Sequence, residues 1–217
     1  MKLIEPIAAD ARVVQTDRFD TAPEAGCEDS RREFLKRGAA AGAALLTFVI
    51  AGREQQLTAA QARAAGVAYR TFSAPQVRSL EVLGEALVPG SASLGLAHFI
   101  DQQLSGPAAA SMLMIKYLGV TPPFTEFYTN GLAAAESAAL KRFSQPLAAL
   151  TARDAHALLA AIAAGAPPGW QGPPAPLFFF VLRNDAVDVT YGTPAGFRTL
   201  GVPYMAHIAP PPRGWSE

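Results

Sequence analysis

Apolar residues recur every three or four positions along most of the chain after residue 65, which predicts a series of amphipathic helices. The first begins at Ser73, with proline in its first turn, and ends before Pro89. Its apolar positions are Val77, Leu80, Leu83 and Leu87. The second ends before Gly106 and carries Leu96, Phe99, Ile100 and Leu104 on one face.

The same spacing continues toward the C-terminus. A third helix is predicted from Met112 to Gly119, and a longer fourth one over 124–143, where Gly131 disfavours the middle. Thr151 followed by Asp154 is a typical helix start, and that helix runs to Gly165. The run PLFFFVLR, residues 176–183, has no clear period, and we assign it to a helix because no partner strand is evident.

The final stretch, 188–217, is rich in glycine and proline and is predicted to be mostly irregular. The expected fold class is therefore all-α, a small helical domain of about five to six helices with a long irregular C-terminal tail rich in proline, glycine and aromatic residues. We expect two regions: an N-terminal segment, 1–64, and a helical domain with a partner-binding tail, 65–217.

The N-terminal segment contains a basic and then apolar run, Ser30–Gly52, which has three interpretations. Ser30 and Glu33 form a capping box, so a helix is expected whatever its purpose. A membrane anchor would need roughly 20 apolar residues, and Gly38–Gly52 is shorter and padded with glycine and alanine. An export signal needs a basic region, a modest apolar region and a small-residue cleavage site, and all three are present.

The string SRREFLK resembles the twin-arginine export signal S-R-R-x-F-L-K, which is read by a receptor and is not an anchor. Its matching residues are Ser30, Arg31, Arg32, Phe34, Leu35 and Lys36. Ala60-Gln61-Ala62 and Ala62-Arg63-Ala64 are candidate cleavage sites. The acidic stretch 1–29 is interpreted as a disordered extension of the signal. These features predict a periplasmic protein, and the twin-arginine route carries cargo that is already folded.

Composition excludes some classes of function. Half of the residues are apolar, and 18 Lys and Arg balance 18 Asp and Glu, so a nucleic-acid partner is not expected. The lone Cys27 cannot form an internal disulfide or supply a thiolate cluster for a metal.

A search for catalytic and metal-binding patterns identifies few candidates. The histidines, His98, His156 and His207, do not form the paired spacing of a zinc site. His98 and Asp101 are three residues apart on one predicted helix, which is more typical of a helix cap or ion pair than of a catalytic dyad. Nucleophile elbows, phosphate loops and dinucleotide-binding glycine motifs are absent from the sequence. We therefore expect no catalytic, cofactor-binding or metal-binding residues in this chain.

Aromatic residues are concentrated in the last fifty positions. Three consecutive phenylalanines cannot share one helical face, so at least one should contact something other than the core of this domain. Either the tail folds back over these side chains, or they contact a partner, since interfaces are enriched in aromatic residues. The candidate interface residues are Trp170, Phe178, Phe179, Phe180, Tyr191, Phe197, Tyr204 and Trp215.

The order of these features resembles the gluconate 2-dehydrogenase subunit 3 family. The resemblance spans about 75–203 and is carried by LEVLGEALVPG, LAHFIDQQLSG and FFFVLRNDAVDVTYGTPAGFRTLGVP. Its strongest elements are Leu87-Val88-Pro89-Gly90, Phe99-Ile100-Asp101 and Asp188 with Tyr191-Gly192. The chain departs from the family pattern at Thr190, which replaces a proline, and at Thr193-Pro194, which replaces Gly-Asn.

The resemblance implies a small, non-catalytic subunit that binds a large FAD-dependent dehydrogenase and carries it folded across the inner membrane. A cytochrome c subunit, holding haem c, often completes such complexes and passes electrons to the quinone pool at the periplasmic face of that membrane. Arg31 and Arg32 would then engage the twin-arginine export machinery. The alternative is a free-standing periplasmic enzyme or binding protein that uses His98, Asp101 and His156.

Overall fold

The computed structural model describes residues 45–165 and 167–203. Two antiparallel strands come first, β1 (Leu46–Ile50) and β2 (Arg53–Leu57), paired so that Leu46 faces Leu57 and Ile50 faces Arg53. Seven α-helices follow in this part of the chain: α1 (Ala59–Ala64), α2 (Ala74–Leu87), α3 (Leu96–Ser105), α4 (Thr125–Phe143), α5 (Ala152–Ala163), α6 (Ala175–Tyr191) and α7 (Pro194–Thr199). Short 3₁₀ turns lie at Ala108–Ala110, Met114–Leu118 and Leu147–Ala149.

The all-α class is confirmed, and the predicted helices at α2, α3, α4, α5 and α6 are all present. Local signals explain several of their ends. Ser73 and Gln76 form a capping box at the start of α2, and the Thr151 hydroxyl accepts a hydrogen bond from the Asp154 backbone N–H at the start of α5. The predicted third helix is instead the 3₁₀ turn Met114–Leu118.

The helix α6 lies at the centre of the fold and packs against α2, α3, α4, α5 and α7. Its side chain Phe178 is only 1% exposed and enters a notch in α4 at Gly131. A β-carbon at Gly131 would overlap the phenylalanine ring. The glycine that weakened the prediction of α4 is therefore explained by packing, because only a residue without a side chain lets the two helices approach this closely.

The tail prediction is wrong over part of its length. The helix α6 continues through Asp188 to Tyr191, and α7 follows after two residues. Thr193 caps α7 by accepting a hydrogen bond from the Gly196 N–H, and Pro194 occupies its first turn. A proline that suggested irregular chain therefore starts a short helix here.

The run Ser30–Gly52 was expected to be helical. This expectation is also wrong in the described part of the run, because Leu46–Ile50 is a strand. Leu46 and Phe48 are buried in the core, and the Gln102 side chain on α3 donates a hydrogen bond to the Thr47 carbonyl. The helix α1 packs on α3, with Ala59 and Ala62 buried. Both candidate cleavage sites lie within α1, so cutting there would remove a packed part of the fold.

The backbone at the start of α3 lies directly against the backbone of α1. Gly95 has a positive φ of 87°, and a β-carbon there would overlap the backbone of Ala59. Arg63 on α1 also pairs with Glu81 on α2 at 3.1 Å. Among the described residues, no helix is long and apolar enough to cross a membrane.

We predict that deleting residues 1–64 destabilises the helical domain. The deletion exposes the α3 surface that Leu46, Phe48 and Ala62 cover, and burial of each large apolar side chain contributes about 1.5–3 kcal/mol. Urea unfolding should show a loss of at least about 2 kcal/mol relative to the matched deletion of 1–44, which keeps all of these contacts. Equal stability of the two truncated proteins would show that the domain begins after α1.

Candidate functional site

The predicted interface aromatics separate into buried and accessible groups. Phe178 belongs to the core, with the Trp170 ring 5.7 Å and the Phe127 ring 6.0 Å from its own centroid. Trp170 is half-buried, and its indole N–H donates a hydrogen bond to the Pro173 carbonyl. Phe178 is therefore unavailable to a partner, because its own chain encloses it.

The other aromatics are more accessible. Phe179 is half-buried and Phe180 is 45% exposed, so the three consecutive phenylalanines do divide between core and surface. Tyr191 and Phe197 are half-buried where α6 meets α7. Tyr204 and Trp215, like the export-signal residues Ser30, Arg31, Arg32, Phe34, Leu35 and Lys36, lie outside the described residues.

The structure buries His98 and uses both of its ring nitrogens. Its Nε2 donates a hydrogen bond to the Val67 carbonyl, and its Nδ1 accepts one from the Tyr69 hydroxyl, each at 3.0 Å. Burial lowers the pKa of His98, while burial, with a smaller contribution from Glu81, raises the pKa of Tyr69 to about 12. The neutral imidazole therefore fixes the segment that leads into α2.

Asp101 fixes the same segment from the next turn of α3. Its carboxylate accepts hydrogen bonds from the backbone N–H groups of Arg70, Thr71 and Phe72 at 2.8–2.9 Å. Neither the predicted surface ion pair nor a dyad with His98 forms, because both side chains are 4% exposed and bond to the chain about thirty residues earlier.

His156 is placed differently. It is exposed on α5, and its Nδ1 donates a hydrogen bond to the Ala152 carbonyl one turn earlier. The three residues of the alternative hypothesis thus have separate local partners, and His207 lies outside the described residues. Across 45–165 and 167–203, no group of three or more His, Cys, Asp or Glu side chains is arranged to hold a metal ion.

A buried carboxylate that the sequence analysis missed lies on α6. Asp185 is fully buried and accepts hydrogen bonds from the Met114 N–H at 2.9 Å and the Tyr128 hydroxyl at 2.6 Å. Burial raises the pKa of Asp185 to about 7, against the opposing effect of these two donors. The signal was present in the sequence, since Asp185 falls on the same helical stripe as the buried Phe178 and Val181.

A pocket of about 500 Å³ lies between the N-terminal elements and the ends of α6 and α7. Its lining comes from five separate parts of the chain: Leu46, Thr58, Ala59, Ala60, Gln61, Leu94, Phe99, Met112, Asp188, Val189, Gly192, Thr193 and Ala195. The surface is mainly apolar, and Leu94 and Met112 are each 38% exposed. The sequence analysis did not find this pocket, because periodicity within single helices does not show which segments meet.

Asp188 is the one charged residue among the described residues that line this pocket. The Asp188 side chain is exposed, but the surrounding atoms partly desolvate its carboxylate, and this desolvation raises its pKa. Within the described part of the chain its carboxylate has no hydrogen-bond or ion-pair partner. The arrangement can therefore accept a group that is both apolar and cationic.

We predict that Asp185 makes the stability of the protein depend on pH. Its pKa is about 7 in the folded protein and 3.8 ordinarily, so the folded state binds more protons between these values. The free energy of unfolding should consequently fall as the pH rises from 4 to 7. A unit of pKa corresponds to about 1.4 kcal/mol. The free energy of unfolding of Asp185→Asn, relative to that of wild type, should therefore rise by at least about 1 kcal/mol as the pH rises over this range.

Urea unfolding of the two proteins at several pH values gives this difference. Titrating groups that do not interact with Asp185 cancel from it, whereas Asp188, whose charge also raises the pKa of Asp185, contributes to it. Tyr128→Phe should extend the dependence to higher pH, because the carboxylate loses a donor that lowers its pKa. Parallel curves for wild type and Asp185→Asn would contradict the prediction.

Comparison with known proteins identifies the family of the chain. No curated protein and no solved structure gives a significant match. The family model described as gluconate 2-dehydrogenase subunit 3 matches residues 74–207, a range that begins at the first residue of α2 and includes α3 to α7. Since this match covers more than half of the 217 residues, the chain belongs to the gluconate 2-dehydrogenase subunit 3 family.

Proposed function

We propose that this chain is the non-catalytic accessory subunit of a periplasmic dehydrogenase complex. It binds a large FAD-dependent subunit of the GMC type, stabilises it, and directs its folded export by the twin-arginine route. The observation that carries the proposal is the family match over 74–207, because the family name is that of a subunit of a gluconate 2-dehydrogenase complex. FAD, and haem c where a cytochrome subunit joins, would be held by the partner subunits.

The accessible residues near the C-terminal end of the described chain support a binding role. Phe180, Leu200 and Val202 are each about half exposed, and Tyr191 and Phe197 are half-buried. Aromatic residues are enriched at protein interfaces, so accessible aromatic side chains are candidates for contact with a partner. Phe178 is no longer a candidate because it is buried. The proposed interface therefore consists of Trp170, Phe179, Phe180, Tyr191, Phe197, Tyr204 and Trp215.

The alternative, a free-standing enzyme or binding protein, has less support. His98 and Asp101 are occupied in holding residues 67–72, and His156 is exposed on another helix. If the purified chain alone oxidised a sugar or alcohol with an electron acceptor, and His98→Ala abolished that activity without unfolding the protein, the alternative would replace the proposal.

We predict that Phe180→Ser weakens partner binding by at least about fivefold, because truncating a large side chain that a partner buries near the centre of an interface costs about 1 kcal/mol or more. The probe is the flavoprotein that co-purifies with the full chain, and its dissociation constant is measured by biolayer interferometry. Val49→Ser is the matched control, since Val49 is 51% exposed on β1. Equal affinities for the two variants would remove Phe180 from the interface.

The export role has its own test. Replacing Arg31 and Arg32 by lysine preserves the charge but removes the arginine pair that the receptor reads. We predict that this chain and the dehydrogenase activity of its partner both accumulate in the cytoplasm, as measured by fractionation and a dye-linked activity assay. The matched control, Arg12→Lys with Arg18→Lys, should leave both in the periplasm. Partner activity that still reaches the periplasm would contradict co-export while leaving the complex intact.

A further inference from the structure

The pocket between α1, α3 and the ends of α6 and α7 has no role in the proposed function as stated so far. We propose that it receives an apolar side chain of the flavoprotein subunit that lies beside an arginine or lysine, and that this cation pairs with Asp188. The inference rests on the proposed function, because the occupant belongs to the partner subunit.

The first argument is the character of the surface. The pocket volume of about 500 Å³ falls in the range of roughly 300–1,000 Å³ typical of sites that enclose a ligand. Its wall combines the exposed Leu94 and Met112 with the buried Phe99. Exposed apolar side chains around a concavity are a signature of interaction sites, and methionine adapts readily to the shape of a bound group.

The second argument is charge. A purely apolar occupant would desolvate Asp188 and leave its carboxylate unpaired, which is costly. An anionic occupant, such as a sugar acid, would be repelled. A cation placed against the same carboxylate forms a charge-assisted hydrogen bond in surroundings that already exclude part of the water. The pocket chemistry therefore selects an occupant that is apolar and carries one positive charge.

The third argument is position. Gly192 and Thr193 line the pocket, and they lie between Tyr191 and Phe197, which belong to the proposed interface. A partner that covers these aromatic residues would therefore also contact the opening of the pocket. This continuity favours a segment of the flavoprotein over a free small molecule or a second copy of the chain.

The occupant can be identified directly in the full complex. A photo-crosslinking amino acid, p-benzoylphenylalanine, is introduced at Leu94, the complex is purified with its flavoprotein, and the crosslinked peptides are sequenced by mass spectrometry. The proposal expects a crosslink to a flavoprotein segment in which an apolar residue lies within a few positions of arginine or lysine. Crosslinks only to this chain, to a second copy, or to a flavoprotein segment without a basic residue would overturn it.

Charge substitutions at Asp188 test the pairing. Asp188→Lys should raise the dissociation constant of the flavoprotein by at least about tenfold, and Asp188→Asn should raise it less and reduce its dependence on salt. Glu126→Gln, which removes an exposed carboxylate outside this pocket, is the matched control and should bind as wild type does. Replacing the crosslinked basic residue of the partner by glutamate should restore binding to Asp188→Lys.

The results separate this inference from the proposed function. A flavoprotein that binds wild type and Asp188→Lys equally well would overturn the pocket assignment and leave the accessory role standing. A chain from which no flavoprotein co-purifies would overturn both. Thermal unfolding of each variant shows whether a loss of binding comes from misfolding, and Asp188 is open to solvent, so the variants should fold as wild type does.

Discussion

The packing of α6 against α4 is the constraint on which the rest of the structure depends. Phe178 enters the notch at Gly131, and this contact brings α6 close enough for Tyr128 to bond the Asp185 carboxylate. Because five other helices pack against α6, any shift of this helix would disturb the whole domain. The central position also explains its composition: the helix is apolar around most of its circumference, and its one fully buried acid has two donors.

Local signals in the sequence were sufficient for the helices that have caps and a regular apolar period, notably α2 and α5. They were insufficient where distant segments decide the outcome. The run Leu46–Ile50 is apolar in either conformation, and it becomes a strand because it pairs with β2 and covers α3. The helix α7 was missed because it spans six residues and contains proline and glycine, although Thr193 and Pro194 are both typical of a helix start.

The candidate site shows the same limit. His98 and Asp101 were recognised as neighbours on one helix face, but their actual partners, Val67 and residues 69–72, lie about thirty positions earlier. The division of the three phenylalanines between core and surface followed from helical geometry alone, whereas which of them is buried depended on Gly131 of another helix. The pocket around Asp188 needs five segments, two of which precede the stretch matched by the family model.

The integration of β1 into the core has a consequence for the proposed export role. Leu45, which directly precedes β1, follows Arg32 by only 13 positions. Even a fully stretched chain would span no more than roughly 45 Å over that length. In the proposed export role, a receptor that binds the two arginines would therefore bind a signal that is joined to the folded core by a short stretch of chain.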